Sequence, residues 1–214
     1  MIPLFMNLEG FKVCIFGFGN VGKRRFKKIL NANPYKITVY AKNISKECKE
    51  YKKYMDKYKN NYKNIDINFI NCNVDCLSNE ELKNIISKYD FIITAIDEKN
   101  NKRIVKISRE LNKLINSSTF EKEINVIIPA YCEVNGIYFS IYTGGKSPLI
   151  AKNIRKLVEN YLKTHKDDVL IQNGLRDFLK DNIPSQNKRK KILEEMYKNE
   201  DFKRDFLKLV DKYI

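Results

Sequence analysis

The sequence has no tryptophan, a single histidine, and only eight arginines among its 41 basic residues. One histidine excludes catalysis by a histidine pair and a histidine-rich metal centre. His165 itself stands in the polar run Lys-Thr-His-Lys-Asp-Asp and reads as a solvated residue at a helix end. Scarce arginine counts against a nucleic-acid binder, because arginine is the side chain that reads bases and clamps phosphates in a two-pronged fashion. Long apolar runs are missing too: Ile92–Ile96 and Val126–Ala130 fall far short of the roughly 20 residues that cross a bilayer. The start, Met-Ile-Pro-Leu-Phe-Met-Asn-Leu-Glu, has neither a basic region nor a long apolar core. The expectation is a cytoplasmic protein with no secretory signal, no membrane and no nucleic acid among its partners. Five cysteines (Cys14, Cys48, Cys72, Cys76, Cys132) are odd in number and scattered, which fits reduced thiols rather than a disulfide framework. Cys72 and Cys76 have only Asp75 between them as a further ligand, too little for a metal site.

What is present is a chain of 214 residues, 43% apolar, long enough for a substantial core. Its formal charge of +15 suits an anionic partner of some kind. The pattern along the chain begins with a short apolar run ending in glycine, Phe11–Gly17, followed by helical spacing over Lys23–Leu30. A β-branched strand, Lys36–Ala41, is followed by a charged amphipathic stretch from Ser45 to Asn64, then by a strand over Ile65–Ile70. Ser78–Ser87 carries a capping box with Glu81, and Asp90–Ile96 is a fully apolar strand. A helix over about 99–111 and a strand at Lys113–Asn116 complete an alternation that implies a parallel sheet with helices on both faces. Two β-rich runs, Asn125–Val134 and Ile137–Thr143, then meet at Asn135-Gly136, a hairpin signal. Helical periods fill the rest: about 148–164, 167–181, 188–199 and 201–213. The expected organisation is a nucleotide-binding domain over 1–112, a hairpin connector over 113–147 and a helical region over 148–214.

Gly17-Phe18-Gly19-Asn20-Val21-Gly22 matches G-x-G-x-x-G and lies between the first strand and the first helix, the context that gives this motif meaning. Gly17 permits the tight turn, Gly19 the approach of backbone to a pyrophosphate, and Gly22 the close packing of helix on strand. The helix start adds amide donors and a positive dipole end. Lys23-Arg24-Arg25-Phe26-Lys27-Lys28 follows, with five positive charges in six residues. At the end of the second strand, where an acid ordinarily holds the ribose 2′-OH of NAD, the sequence reads Tyr40-Ala41-Lys42-Asn43. No acid stands there, and Lys42 suits a 2′-phosphate equally well, so NADP remains open beside NAD.

Four segments together resemble the precorrin-2 dehydrogenase / sirohydrochlorin ferrochelatase family, which also forms the N-terminal part of siroheme synthases. They are Ile2-Pro3-Leu4-Phe5 with Leu8; Gly17 to Arg25; Thr94-Ala95-Ile96-Asp97-Glu98 with Asn101 and Arg103; and Ile128-Pro129-Ala130 leading to Thr143-Gly144-Gly145-Lys146-Ser147-Pro148. The resemblance spans residues 1 to about 162. It implies a Rossmann-like α/β fold with a β-hairpin dimerisation segment and a C-terminal helical region, and a homodimer that converts precorrin-2 to sirohydrochlorin while reducing NAD+. Asn20, Val21, Lys42 and Asn43 match the family's dinucleotide contacts, and Ala95 and Asp97 stand at the nicotinamide end. Thr143, Gly144, Gly145, Lys146 and Ser147, with Asn116, are the expected substrate-binding residues. Two glycines that expose backbone amides, a lysine, a serine N-cap and a proline at the first helical position suit a polycarboxylate.

The chain departs from the family at one position of chemical weight. The family's aspartate past the fifth strand, a general base and chelation residue, aligns with Thr119, whose hydroxyl does not titrate near neutrality and is a poor ligand for Fe2+. The expectation is therefore dehydrogenation without metal insertion, the proton going to solvent, a substrate carboxylate, Asp97, Glu121 or Glu123. The alternative is a dinucleotide- or tetrapyrrole-binding regulatory module with reduced catalysis.

Overall fold

The computed structural model describes residues 2–42, 65–119 and 122–199, with 201, 204, 205 and 208; over 166–173 it describes the helical backbone alone. The stretch Ser45 to Asn64, Asn43, Glu121 and most of the expected last helix lie outside the described residues. The chain divides into two compact units, Met1–Ile128 and Pro129–Ile214.

The first unit holds a parallel sheet of β1 (Lys12–Phe16), β2 (Lys36–Ala41), β3 (Asp66–Asn71), β4 (Phe91–Thr94) and β5 (Leu114–Ser117). Their order is β3-β2-β1-β4-β5, with every pair parallel. Helices α1 (Asn20–Leu30), α2 (Asn79–Ile86) and α3 (Glu98–Glu110) join them, and a short 3-10 turn, Val74–Cys76, follows β3.

Both faces of β1 are covered, which explains why it reads as a continuous apolar run. Val13 and Ile15 point to one side and pack with Phe26, Ile29 and Leu30 of α1. Cys14 and Phe16 point to the other and pack with Leu82 and Ile86 of α2 and with Ile104 and Val105 of α3. The two-residue period of the strand thus sorts its side chains between two cores. Burial within the second core pushes the Cys14 thiol well above its ordinary pKa, which makes it an inert packing residue.

Helix α2 starts at the capping box expected from its sequence: the Glu81 amide donates to Ser78 Oγ at 3.2 Å, and the Ser78 amide donates to Glu81 Oε2 at 2.7 Å. The segment expected as a strand from Asn125 behaves differently. Only Ala130–Val134 is strand; the stretch before it meets the edge of β5 through a backbone bond, the Val126 amide to the Ile115 carbonyl at 3.1 Å, and through the side chain of Asn125. The Ile115 amide donates to Asn125 Oδ1 at 2.7 Å, and Asn125 Nδ2 donates to the Lys113 carbonyl at 2.9 Å. One asparagine amide reproduces a donor and an acceptor of a missing strand, and Pro129, lacking an N–H, ends the possibility of continuing it.

In the second unit, β6 (Ala130–Val134) and β7 (Ile137–Ile141) form an antiparallel pair. Its turn has φ +51° at Asn135 and φ +79° at Gly136, the two positive values that a type I′ turn requires. Helix α4 (Pro148–Thr164) packs on this pair, with Ala151 and Cys132 buried. Helices α5 (Lys166–Asn182) and α6 (Gln186–Lys198) enclose a small core of Leu175, Leu179 and Met196. His165 closes α4 as expected of a helix-end residue, exposed and with its ring stacked on Tyr161. No helix among the described residues is long and apolar enough to cross a membrane.

Candidate functional site

The strand order reverses direction at β1, whose neighbours β2 and β4 run off to opposite sides, and ligands of open parallel sheets sit at the carboxyl ends of the strands at such a point. There the chain forms an open cavity of about 220 Å³, lined by Gly17–Gly19, Tyr40–Lys42, Cys72–Asp75, Ala95–Asp97 and Asn100. The sheet ladder continues into these loops and holds them. The Gly17 amide donates to the Tyr40 carbonyl, the Cys72 amide to the Ala41 carbonyl and the Ala95 amide to the Phe16 carbonyl, at 2.8, 3.0 and 2.8 Å.

The three glycines have different reasons. Gly17 has φ +94°, and a Cβ built on it would stand 2.3 Å from the Ala95 carbonyl oxygen. Gly22 is buried in α1, where a Cβ would stand 2.1 Å from the Gly17 carbonyl oxygen. Both are required by the protein's own packing. Gly19 is required by neither backbone nor neighbours: its φ is −71°, and no heavy atom lies within 4 Å of the position a Cβ would take. It caps α1 without any side-chain hydrogen bond to the helix amides, and the first turn of that helix contains no acid. A bare, uncapped helix start facing open space has the form of a cradle for a phosphate. The residues present therefore fit a dinucleotide. Gly17, Gly19 and the amides of Asn20, Val21 and Gly22 would hold its pyrophosphate.

Among the basic residues behind the loop, Arg25 has a structural task. Its Nη1 donates to the Ile128 carbonyl at 2.9 Å, and burial lowers its pKa from the ordinary arginine value. The ammonium of Lys23 lies 5.8 Å from the centroid of the Phe18 ring, which lies against Phe26 and Phe69.

Asp97 lies on the cavity wall, where it caps α3. Its Oδ1 accepts from the Asn100 amide at 3.0 Å and its Oδ2 from Asn100 Nδ2 at 2.8 Å. These donations hold its carboxyl below the usual carboxylate range. A base works best with a pKa near the operating pH, so Asp97 as placed is a weak proton acceptor. The same Asn100 Nδ2 donates to Asp75 Oδ1 at 2.8 Å, and Asp75 Oδ2 pairs with Lys42 Nζ at 2.9 Å. Asp75, Asn100 and Tyr40 are cavity residues that sequence reasoning did not assign. The missing signal was strand adjacency: β3 pairs with β2 so that Asn71 faces Ala41, which brings the residues after β3 beside Lys42.

Asn101, noted in the sequence only as part of a pattern, is fully buried and ties three turns together. Its Oδ1 accepts from Thr94 Oγ1 and the Ile96 amide, and its Nδ2 donates toward the Ile96 carbonyl, Ser118 Oγ and Thr119 Oγ1. Thr119 is thus held in a network of hydroxyls and an amide, with Ser117 Oγ accepting from its backbone N–H at 3.2 Å. Glu123 is exposed, and its backbone carbonyl accepts from Arg109. Among the described residues no group of three or more His, Cys, Asp or Glu side chains is placed to hold a metal ion. Asn116 is buried and donates through Nδ2 to the Val126 carbonyl at 2.9 Å.

The expected substrate segment belongs to the second unit. Gly144 and Gly145 both have positive φ, +65° and +72°. Thr143 closes the turn: its Oγ1 donates to the Ser147 carbonyl at 3.1 Å and accepts from the Ser147 amide at 3.3 Å. Ser147 caps α4 through the Ile150 amide, Pro148 begins the helix, and Lys146 is exposed beside it.

Residues 4–130 match the profile of the family described as "Putative NAD(P)-binding". The chain is 49% identical over 213 residues to a protein of Methanocaldococcus jannaschii named "Putative precorrin-2 dehydrogenase", covering 100% of this chain and 98% of that one. It is 28% identical over 201 residues to the precorrin-2 dehydrogenase of Methanosarcina barkeri, covering 93% of this chain and 84% of the other. The solved structure of SirC, a precorrin-2 dehydrogenase, superposes with a TM-score of 0.68 over the full length of both chains at 24% identity, which shows a shared fold. Glycine loop, strand order and likeness along the whole chain agree, and the protein belongs to the precorrin-2 dehydrogenase family.

Proposed function

We propose that this protein oxidises precorrin-2 to sirohydrochlorin with NAD+ as the acceptor, and that it works as a cytoplasmic homodimer without inserting a metal. The observation that carries the reading is the bare cradle at Gly19 above an uncapped helix start, in a chain 49% identical to a relative named for this activity. Precorrin-2 loses one hydride and one proton, and the products are sirohydrochlorin, NADH and H+. The bound dinucleotide supplies a carbon that accepts the hydride. The chain's contribution is placement: the amides after Gly19 fix the pyrophosphate, while Ala95 and Asp97 form the wall at the end of β4. Holding two reactants in contact is itself a large part of such a rate.

The tetrapyrrole's carboxylates are received by the Thr143–Ser147 turn, whose two positive-φ glycines expose backbone amides next to Lys146. The released proton goes to solvent or to a substrate carboxylate, since Asp97 is held in its ionised form by Asn100. Thr119 offers neither a titrating group nor a strong metal ligand, which removes the residue on which chelation would depend.

A second copy of the chain is the partner that suits α4. Ile150, Ile154, Leu157 and Tyr161 follow one another at helical spacing and are all exposed, and the hairpin beneath is only two strands wide. Light scattering is expected to give twice the mass of one chain; a monomer overturns this assignment.

The function is tested by anaerobic incubation with precorrin-2 and NAD+. NADH and sirohydrochlorin are expected to form together, and sirohydrochlorin given Fe2+ in the protein's presence is expected to take up metal at the spontaneous rate. Absence of turnover with both NAD+ and NADP+ overturns the dehydrogenase, and accelerated metal uptake overturns the exclusion of chelation.

A further inference from the structure

We propose that Asp75 reads the adenosine ribose of the dinucleotide and makes the protein selective for NAD over NADP, a task that falls in other dinucleotide folds to an acid at the end of the second strand. The inference rests on the cavity being the dinucleotide site. Position 42, where that acid is ordinarily found, is a lysine, and a free lysine there would receive a 2′-phosphate. Lys42 is not free. Its Nζ lies 2.9 Å from Asp75 Oδ2, and both residues line the same cavity. The carboxylate arrives from the neighbouring strand because β3 runs parallel to β2, with Ala41 facing Asn71 and the Cys72 amide bonded to the Ala41 carbonyl.

Asp75 is also oriented from its other side. Asn100 Nδ2 donates to its Oδ1 and to Asp97 Oδ2, both at 2.8 Å, so a continuous chain Lys42–Asp75–Asn100–Asp97 runs from the end of β2 to the start of α3. Two carboxylates and one ammonium leave this wall with a net negative charge. A ribose diol presents two hydroxyl donors, and each oxygen of Asp75 keeps acceptor capacity after its present bond. A 2′-phosphate presents only acceptors and negative charge. To bind, it would have to separate Lys42 from Asp75 and then lie against the carboxylate so released.

Titration calorimetry of the full chain with NAD+ and with NADP+, in the absence of tetrapyrrole, tests this without turnover. Wild type is expected to bind NAD+ more tightly by about tenfold or more. Asp75→Asn keeps the size, removes the charge and releases Lys42; NAD+ is expected to weaken, NADP+ to tighten, and the ratio to shrink by about tenfold or more. Lys42→Ala leaves Asp75 in place, and the preference for NAD+ is expected to persist. Equal affinities in wild type, an unchanged ratio in Asp75→Asn, or loss of the preference in Lys42→Ala each overturn the proposal. Failure of wild type to bind either dinucleotide overturns instead the reading of the cavity on which it rests.

Discussion

Gly19→Asp is expected to give a protein at least as stable as wild type that no longer binds NAD+. The two effects have opposite signs because they come from the same amides. Gly19 has an ordinary backbone conformation and open space where a side chain would go, so the fold accepts the substitution. Aspartate is a preferred helix cap, and its charge is favourable at the positive end of the α1 dipole. Together these add up to about 1 kcal/mol, or about 2–4 °C in melting temperature for a chain of this size. The new carboxylate takes the amides that would otherwise face a pyrophosphate and repels its charge. Loss of two charge-assisted hydrogen bonds is worth about 3 kcal/mol or more, a weakening of about 100-fold or greater. Thermal melting and NAD+ titration on the same preparation check both halves. Retained binding would show that the cradle at Gly19 is not where the dinucleotide is held.

Gly17→Ala attacks the same loop from the side of the fold. The backbone there has φ +94°, a conformation that alanine adopts only under strain, of order 1–3 kcal/mol. Independently, the added Cβ falls 2.3 Å from the Ala95 carbonyl oxygen and 2.7 Å from Ile96 Cγ2. The first of these is backbone at the end of a buried strand and has no rotamer with which to retreat, so overpacking costs another 1–3 kcal/mol or so. A sum of about 2–6 kcal/mol is a large part of the whole stability of an ordinary domain. The expected result is a melting temperature lower by about 4 °C at the least, and in the upper range no folded protein at all. A wild-type melting curve would contradict the loop geometry. Gly17→Ala and Gly19→Asp sit two residues apart, so their opposite effects on stability separate a glycine demanded by the chain from one demanded by a ligand.

Most of the first unit was legible because its signals are local. A run such as Lys-Val-Cys-Ile-Phe, closed by glycine and followed by helical spacing, is enough to read β1, the loop and α1. Ser78 with Glu81 marks the start of α2, and Asn135-Gly136 marks the hairpin, because a cap or a primed turn involves only a few consecutive residues. What escaped depends on contacts between distant segments. Asn125 reads as the start of a strand, and only its contact with β5 shows that it bonds there through its side chain while the backbone of Val126 bonds Ile115. Asn101 stands in the sequence as part of the family's pattern, without any sign that it is buried and serves the ends of β4 and β5 at once.

Asp75 is the instructive case for the site. A ribose-binding acid ordinarily stands at the end of β2, where this chain has Lys42. The acid stands 33 residues further on and comes beside Lys42 only through strand pairing. Asp97 shows the converse. Its position at the end of β4 was legible, but its two bonds from Asn100, which hold it ionised, were not. The charge of +15 also becomes more specific: Arg25 secures the Ile128 carbonyl, Lys42 is paired with Asp75, and Lys146 stands exposed beside the two-glycine turn.

The most direct test follows NADH and sirohydrochlorin simultaneously in one anaerobic reaction of precorrin-2 and NAD+, with wild type and Gly19→Asp side by side. Equal initial rates of the two products with wild type, and neither product above background with Gly19→Asp, are the predicted result. Sirohydrochlorin without matching NADH, no product with wild type, or undiminished turnover by Gly19→Asp would contradict it.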